Sequence, residues 1–387
     1  MLDFMFVPPR ALGTLFVSPS EDQIRKLFYS KMLSWLSYTL AIVVRKFMPN
    51  CFQIETSVSS HSTNGFEARS LWYLAPEKVE IRSELLTTMP DGSVRVRALF
   101  GALSRGTESL VFRGEIPESE YQRMAAPWMS GTFPYPVKYG YCHVGRIEDG
   151  PADRIGQLVF ALRPHETMYV ADARDVVPLP VGLSPERAVL SANMETALNA
   201  VWDASPGPGD KIVVVGGGVV GCLVAYLCAG LRGAEVTLVD INPERSSVAR
   251  ALGVQFAIAP NAPTECDVVF HCSASAAGLA TAIGAAGEEA LVLELSWYGN
   301  REINLSLGGA FHSRQIRLQS SQVGHISVSH RPRWTHRRRL QSAMGLLVDE
   351  RLDVLLTHFV DFEDLPEQLP MLLGSQSQAL CSLIRYP

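Results

Sequence analysis

Apolar positions fall into three textures along the chain. In residues 1–66 the longest apolar run is 32–44, bracketed by Lys31 on one side and by Arg45 and Lys46 on the other. It is too short to span a bilayer and starts too late for an ordinary secretory signal, and no small-residue cleavage pattern follows it. Residues 1–66 therefore read as an N-terminal extension, poorly ordered or lying upstream of the true start, with an interfacial or organelle-targeting helix as the lesser alternative because Glu21 and Asp22 sit close to its basic residues. From about Ser70 the texture changes to short apolar segments separated by Gly and Pro, which predict strands at 71–74, 79–81, 94–99, 140–148, 157–162 and 168–170. Pro90-Asp91-Gly92 and Asp149-Gly150-Pro151 supply turns between them.

The third texture begins at the loop 204–210. It leads into Lys211-Ile212-Val213-Val214-Val215, a continuous apolar run of the kind buried in a parallel sheet. A helix is predicted over 219–231, a strand over 235–239, and a helix over 243–252 with Asn242 as its N-cap and Pro243 at its first position. Strands at 267–271, 291–295 and 316–320 continue the alternation, which means right-handed crossovers on a mostly parallel sheet. A last strand at 379–385 is expected to return to the β-rich unit.

Composition narrows the function classes. The chain is 47% hydrophobic and 19% charged over 387 residues, which excludes a largely disordered protein. A formal net charge of −5 leaves no global positive excess for nucleic acid or acidic lipid, so neither a nucleic-acid nor a membrane partner is expected. The seven cysteines are scattered, with no Cys-x-x-Cys pair. A disulfide framework and a structural zinc lobe lose their basis, and a reducing cytoplasm fits.

Chemistry enters at Gly216-Gly217-Gly218-Val219-Val220-Gly221, a G-x-G-x-x-G pattern placed between a predicted strand and a predicted helix. Gly216 permits the tight turn, Gly218 lets backbone N–H groups approach a diphosphate, and Gly221 allows close helix packing. Val219 and Val220 open the helix, whose N-terminus offers partial positive charge. The next strand ends in Asp240, about 20 residues on, where a carboxylate accepts both ribose hydroxyls of an adenosine and repels a 2′-phosphate. A Rossmann fold binding NAD(H) in preference to NADP(H) is expected, with Arg245 close enough in sequence to complicate the charge balance.

The order of a β-rich unit followed by a dinucleotide fold resembles the medium-chain dehydrogenase/reductase superfamily, the zinc-type alcohol dehydrogenases and their zinc-free relatives. The resemblance covers about residues 68–387 and is carried by Leu103-Ser104-Arg105-Gly106-Thr107-Glu108, the segment 136–148, Gly156-Gln157-Leu158-Val159-Phe160, Pro208-Gly209-Asp210 and the glycine loop. Locally it is similar to the branch containing bacteriochlorophyllide dehydrogenase, through 104–108, 112–117 and Gly140-Tyr141. It implies an α/β protein: a GroES-like β-rich catalytic domain over 67–190, completed by 340–387, and a doubly wound parallel-sheet domain over 191–339. A homodimer through the dinucleotide domain is usual among such proteins.

In the zinc enzymes a Cys, a His and a further Cys or Glu hold the catalytic metal. At those places this sequence has Arg105, Tyr141 and approximately Ala192, and none is a usual zinc ligand, so no catalytic zinc is expected. His143 and Cys142 read as packing residues on opposite faces of a strand. The resemblance then implies hydride transfer between nicotinamide and a carbonyl or alcohol, a small-molecule substrate, without metal. Arg105 is a candidate to polarise an oxygen, or else pairs with Glu108. Thr107 and Tyr141 are candidates to pass a proton, or else pack on strands. Glu195 reads either as a base or as a helix-capping or interdomain carboxylate. Backbone groups at Ser296 and Trp297 are placed to face the nicotinamide carboxamide, with simple packing as the alternative for Trp297. The basic run 330–339 reads as a solvated face, with a phosphate or acidic-partner site as the lesser alternative. Two other functions stay open: a non-catalytic NAD(H)-binding sensor or assembly protein, and a zinc-free reductase of an activated C=C bond.

Overall fold

The computed structural model describes residues 65–387, so the expectations for residues 1–64 lie outside the described part. Its first strands are β1 (Phe66–Ala75) and β2 (Lys78–Leu86), an antiparallel hairpin. The alternating exposure of β2 marks it as a strand with one face to solvent. β3 (Ser93–Leu103) follows and runs directly into a helix, Arg105–Arg113. Then come β4 (Ser130–Gly131), β5 (Val137–Lys138), β6 (His143–Asp149), β7 (Leu158–Ala161), β8 (Met168–Asp172) and β9 (Val177–Pro178). Each predicted strand of this half is present, most of them extended by a few residues. The exceptions are informative. Arg105–Arg113 form a helix, so Thr107 sits on a helix and not on the strand that packing arguments assumed. Tyr141 and Cys142 precede β6, where Gly140 at φ +134 breaks the extended backbone.

The second half contains β10 (Lys211–Val215), β11 (Glu235–Asp240), β12 (Gln255–Ile258), β13 (Cys266–His271), β14 (Ala286–Glu294) and β15 (Arg317–Ser320). They pair in the order β12-β11-β10-β13-β14-β15, every neighbour parallel. The chain winds outward one way from β10 and then the other way from β13. The carboxyl ends of those two strands therefore form the topological switch point where doubly wound sheets bind ligands. Helices Val219–Ala229, Arg245–Leu252 and Ala276–Ala285 make the crossovers. β10 is buried from Ile212 to Val215, as its unbroken apolar run requires.

Two helix boundaries differ from expectation: the helix expected over 219–231 ends at Ala229, and the next one starts late. The helix at 243–252 begins at Arg245, because Asn242 Oδ1 accepts from Glu244 N at 3.0 Å and holds Pro243 and Glu244 in a turn before it.

After the helix His336–Leu346 the chain forms β16 (Leu356–Asp361), the helix Leu365–Leu372 and β17 (Cys381–Arg385). β17 returns to the first half and pairs antiparallel with β3, Leu383 opposite Ala102. The resulting sheet has the order β16-β17-β3-β6-β7-β9, with β8 on β3, beside the smaller sheet β2-β1-β5-β4. One buried cluster runs from Ala102, Cys142 and Phe160 through Met194 and Ala197 to Ile212, Val214 and Phe270, so a continuous apolar core joins the two halves.

Candidate functional site

The glycine loop closes β10 at the switch point. Gly216 stands at φ +110, and a Cβ there would meet the backbone of Cys272 and Ser273 at 2.7–2.9 Å. The β10 turn thus fits directly against the end of β13. Gly218 has open space where a Cβ would stand, the surface a diphosphate needs to approach. At Gly221 a Cβ would lie 1.9 Å from Gly216 O, so the helix Val219–Ala229 packs onto its own loop. The Asp240 carboxylate accepts from Gly217 N at 2.6 Å and from Asn242 N at 2.8 Å, which fixes it at the carboxyl end of β11 beside the loop. Gly216, Gly218, Val219, Val220, Gly221 and Asp240 are thereby brought together. These groups fit a dinucleotide: backbone donors at a helix N-terminus, a surface with no Cβ, and an acceptor at the neighbouring strand end.

Arg245 lies alongside, with its Cγ 3.3 Å from the position a Cβ on Gly217 would take, and its Nη2 donates to Gln378 O at 3.0 Å. Asn242 Nδ2 donates to Gln378 Oε1 at 2.7 Å. The segment before β17 therefore crosses over the rim of the second half. Arg105 reaches the same segment, donating from Nη2 to Gly374 O at 3.2 Å and Ser375 O at 3.4 Å. Burial, Arg245 and Arg113 hold its guanidinium below an arginine's ordinary value. The expected alternative partner, Glu108, is engaged elsewhere.

Glu108 is fully buried, accepting from Ser104 N at 2.8 Å and from Tyr73 OH at 2.9 Å, with His165 Nε2 at 2.8 Å. Burial raises its carboxyl, but the His165 charge and these hydrogen bonds outweigh burial and hold it below the ordinary value. Tyr141 OH donates to Ser104 Oγ, and Thr107 lies close enough to act on the same phenol. Burial pushes the Tyr141 phenol up, so it stays protonated. Tyr141 and Ser104 thus form a hydroxyl pair with Thr107 nearby, Ser104 N joins it to Glu108, and Arg105 turns to the 374–375 carbonyls. His143 lies buried on β6 and burial pushes its imidazole down to about 3, which keeps it neutral.

Glu195 sits elsewhere in the hydrogen-bonding scheme. On the buried helix Ser191–Ala204 it accepts from Arg339 Nε at 3.0 Å. Arg339 also donates to Asn199 Oδ1 and to the carbonyls of Val323 and His325. This corrects the reading of 330–339 as a solvated face: Arg331, Arg333, Arg337 and Arg338 are exposed, whereas Arg339 is only 1% exposed.

Strand ends β13 and β14 carry residues that sequence reasoning missed. His271 Nδ1 lies 2.7 Å from Glu294 Oε2, and its Nε2 lies 2.7 Å from Ser273 Oγ. Tyr298 OH donates to the same Glu294 oxygen at 2.9 Å, and Ser296 N donates to Glu294 Oε1 at 2.7 Å. The available signal was a polar residue ending each of two otherwise apolar strands, Val268-Val269-Phe270-His271 and Leu291-Val292-Leu293-Glu294. Ser296 Oγ accepts from Ala274 N at 3.0 Å, which ties the loops after β13 and β14 together. Trp297 packs into the apolar cluster of Leu110 and Phe112, and Gly299 presses on Glu115 O, so this loop meets the helix Arg105–Arg113.

A catalytic zinc fits this site poorly. A guanidinium repels a cation, Ala192 has no donor atom, and Tyr141 keeps its proton in a bond to Ser104. Among the described residues no group of three His, Cys, Asp or Glu side chains could hold a metal ion. Among the described residues, likewise, no helix is long and apolar enough to cross a membrane.

No family model matches the chain. Among curated proteins it is similar to an uncharacterised zinc-type alcohol dehydrogenase-like protein of Escherichia coli, 28% identical over 165 residues. That match covers 39% of this chain and 47% of the relative, so it spans about half of that protein's length. It is also similar to D-guloside 3-dehydrogenase of E. coli, 24% identical over 306 residues, 71% of this chain and 87% of the relative. Among solved structures, L-idonate 5-dehydrogenase of E. coli superposes with a TM-score of 0.67 at 14% identity, covering 83% of this chain and 99% of that one. A structure described as a short chain alcohol dehydrogenase of E. coli, complexed with NADH, gives 0.64 at 17% identity, covering 82% and 99%. A zinc-binding dehydrogenase of Sinorhizobium meliloti bound to NADP gives 0.64 at 14%. In sequence the chain is similar to zinc-type alcohol dehydrogenase-like proteins, and its fold is shared with the dehydrogenases on which it superposes.

Proposed function

We propose that the chain is an NAD(H)-dependent oxidoreductase that moves hydride between nicotinamide and an alcohol or carbonyl substrate without catalytic zinc. The observation that carries this reading is the glycine loop of β10 with Asp240 fixed at the end of β11. When bound, the nicotinamide supplies the hydride acceptor or donor. The residues of this chain do the rest. Arg105 and Arg245, gathered around the 374–378 segment, meet the diphosphate, a role that displaces the expected polarisation of substrate by Arg105. Thr107 and Tyr141 hold the substrate oxygen and its proton at their hydroxyls. Loop backbone at Ser296 and Trp297 orients the carboxamide. Glu195, occupied by Arg339, serves structure and not proton transfer. The relative named D-guloside 3-dehydrogenase supports a hydroxylated, sugar-like substrate. The six free cysteines of the described part suit a reducing, cytoplasmic setting.

NADH titration by fluorescence, together with metal analysis of the purified protein, tests both halves of the proposal. Saturable binding with no stoichiometric zinc is expected. Failure to bind NADH overturns the first half, and tightly held zinc the second.

Two substitutions probe the site further. Asp240→Ala removes the acceptor for ribose hydroxyls and leaves Arg245 beside the loop. NADH should bind about tenfold more weakly, a loss of about 1.4 kcal/mol, while NADPH binding improves. Parallel titrations with both nucleotides read this out, and unchanged preference refutes the assignment of Asp240. Tyr141→Phe should lower kcat about a hundredfold or more on any turned-over carbinol with NADH affinity unchanged. Full turnover in that variant removes Tyr141 from proton transfer. The reading of a non-catalytic binding protein predicts instead that no carbonyl, quinone or enone in a broad panel is reduced.

A further inference from the structure

Four exposed arginines, Arg331, Arg333, Arg337 and Arg338, stand on the segment that enters the helix His336–Leu346. Elsewhere on the surface arginines pair with carboxylates, Arg174 with Asp172, Arg351 with Asp349 and Arg385 with Asp361. Among the described residues these four have no carboxylate partner and donate instead to backbone carbonyls. Arg331 Nε reaches Ile326 O at 3.3 Å, Arg333 Nη2 reaches Ser329 O at 3.4 Å, Arg338 Nη1 reaches Arg333 O at 2.8 Å, and Arg337 Nη1 reaches Arg174 O. A carbonyl orients a guanidinium without cancelling its charge, and the remaining N–H groups stay available. Two carboxylates near this face are engaged: Asp203, close to His330, accepts from Asn199 and Ser321, and Asp172 holds Arg174.

The face is braced from below. Ser327 O accepts from His330 N and Arg331 N, and His330 O accepts from Arg333 N and Trp334 N, so the arginines leave two successive turns. The His330 ring stacks on Trp202 of the helix Ser191–Ala204, with centroids 4.0 Å apart and planes within 5°. Trp334 lies 4.7 Å from the same Trp202, and the Arg338 guanidinium sits 4.0 Å over the Trp334 ring. Ser327 N donates to Asn199 Oδ1 at 3.1 Å, and buried Arg339 ties the far end of the segment to Glu195. A merely solvated basic run needs none of these contacts, whereas a binding face gains from them, because ordering its side chains in advance lowers the entropy lost on association.

We propose that this braced basic face docks an acidic segment of a partner protein, a short stretch carrying several Asp or Glu side chains. Charge complementarity selects the partner, and the geometry selects among anions. The guanidiniums are spread over 331–338, which matches a row of carboxylates and not a single phosphate. A nucleic-acid strand stacks its bases on open aromatic faces, but here Arg338 covers Trp334 while Trp202 and His330 lie on each other. The formal net charge of −5 repels a long polyanion or an anionic membrane, and a short acidic segment feels mainly the local field. Val328, 75% exposed in the same series of turns, offers an apolar contact beside the charges. The chain does not supply this partner itself: residues 1–64 carry more Lys and Arg than Asp and Glu, and Asp361 and Glu363 are paired with Arg385 and Arg69. None of these residues belongs to the glycine loop or to the Tyr141–Ser104 pair, so the inference stands apart from the cofactor reading.

The test uses the full chain and fluorescein-labelled octaglutamate, followed by fluorescence anisotropy at low ionic strength. Saturable one-to-one binding is expected, weakening steeply as NaCl is added. The double variant R333Q/R337Q should bind about tenfold more weakly. R82Q/R385Q removes two exposed arginines that are already paired and should bind as the native protein does. Trp334→Leu keeps every charge but removes the ring on which Arg338 and Trp202 rest, and a loss of several-fold there separates a braced face from charge alone. Should that variant fail to fold, His330→Ala is read in its place, since it removes the stack on Trp202. Absence of saturable binding, equal losses in the two double variants, or undiminished binding in the bracing variant overturns the inference. So does tighter binding of an oligodeoxythymidine or of phosphatidylserine vesicles through the same arginines, or self-association of the chain that R333Q/R337Q abolishes, because each assigns the face to another occupant.

Discussion

Gly221→Ala is expected to abolish NADH binding and to lower the melting temperature by a few degrees. A Cβ at 221 would stand 1.9 Å from Gly216 O and 3.1 Å from Gly216 C, against backbone that cannot rotate aside. The helix Val219–Ala229 must then move away from the loop, at a cost of roughly 1–3 kcal/mol for overpacking. That displacement also carries off the N–H groups that meet the diphosphate. An affinity loss of at least about a hundredfold, close to 3 kcal/mol, follows. Gly218→Ala separates the two effects. Its Cβ meets nothing within 4 Å and its φ of −76° suits alanine, so the melting temperature should hold while NADH binding falls, because the methyl group fills space the diphosphate needs. Wild-type titration curves for Gly221→Ala would refute the placement of the cofactor on this loop.

That contrast shows how much of the site could be read from the residues. The glycine loop and Asp240 were legible because a strand, a tight turn and a helix must follow one another within a few residues, and the chemistry sits inside that local pattern. β17 was legible as a strand that returns to the β-rich half, and the structure adds that its partner there is β3. The helix carrying Thr107 was not legible because the apolar residues of Arg105–Arg113 are few, and the helix is fixed by Glu108 turning inward to Tyr73 and His165, partners 35 and 57 residues away. Arg339 was misread for the same reason: a run of arginines looks solvated until a buried carboxylate 144 residues earlier in the chain captures one of them. His271 and Glu294 escaped notice because their partnership exists only once β13 and β14 lie side by side. Local periodicity reports burial, and pairwise polar chemistry between distant segments leaves no mark on it.

Arg339→Met should cost about 3–5 kcal/mol of stability, the largest loss of any single change in this part of the molecule. The methionine fills much of the same volume but leaves the Glu195 carboxylate buried with no cation, and deprives Asn199, Val323 and His325 of a donor. The reciprocal change is far milder. Burial raises the Glu195 carboxyl more than Arg339 lowers it, so the folded protein binds this proton more tightly than the unfolded chain does. The stability from this group is therefore fully present below the unfolded pKa and is lost as pH rises through the folded one. Glu195→Gln mimics the protonated form, keeps an acceptor for Arg339, and should cost within about 1 kcal/mol while removing that part of the pH dependence. Urea denaturation of both variants at pH 5 and pH 8 measures each term. The same pair decides the chemistry: Glu195→Gln should retain kcat, since the carboxylate is held by Arg339 on a helix shared by both halves of the core. A loss of a hundredfold or more in kcat at unchanged stability would return Glu195 to the role of general base and displace the hydroxyl cluster of Thr107 and Tyr141 from it.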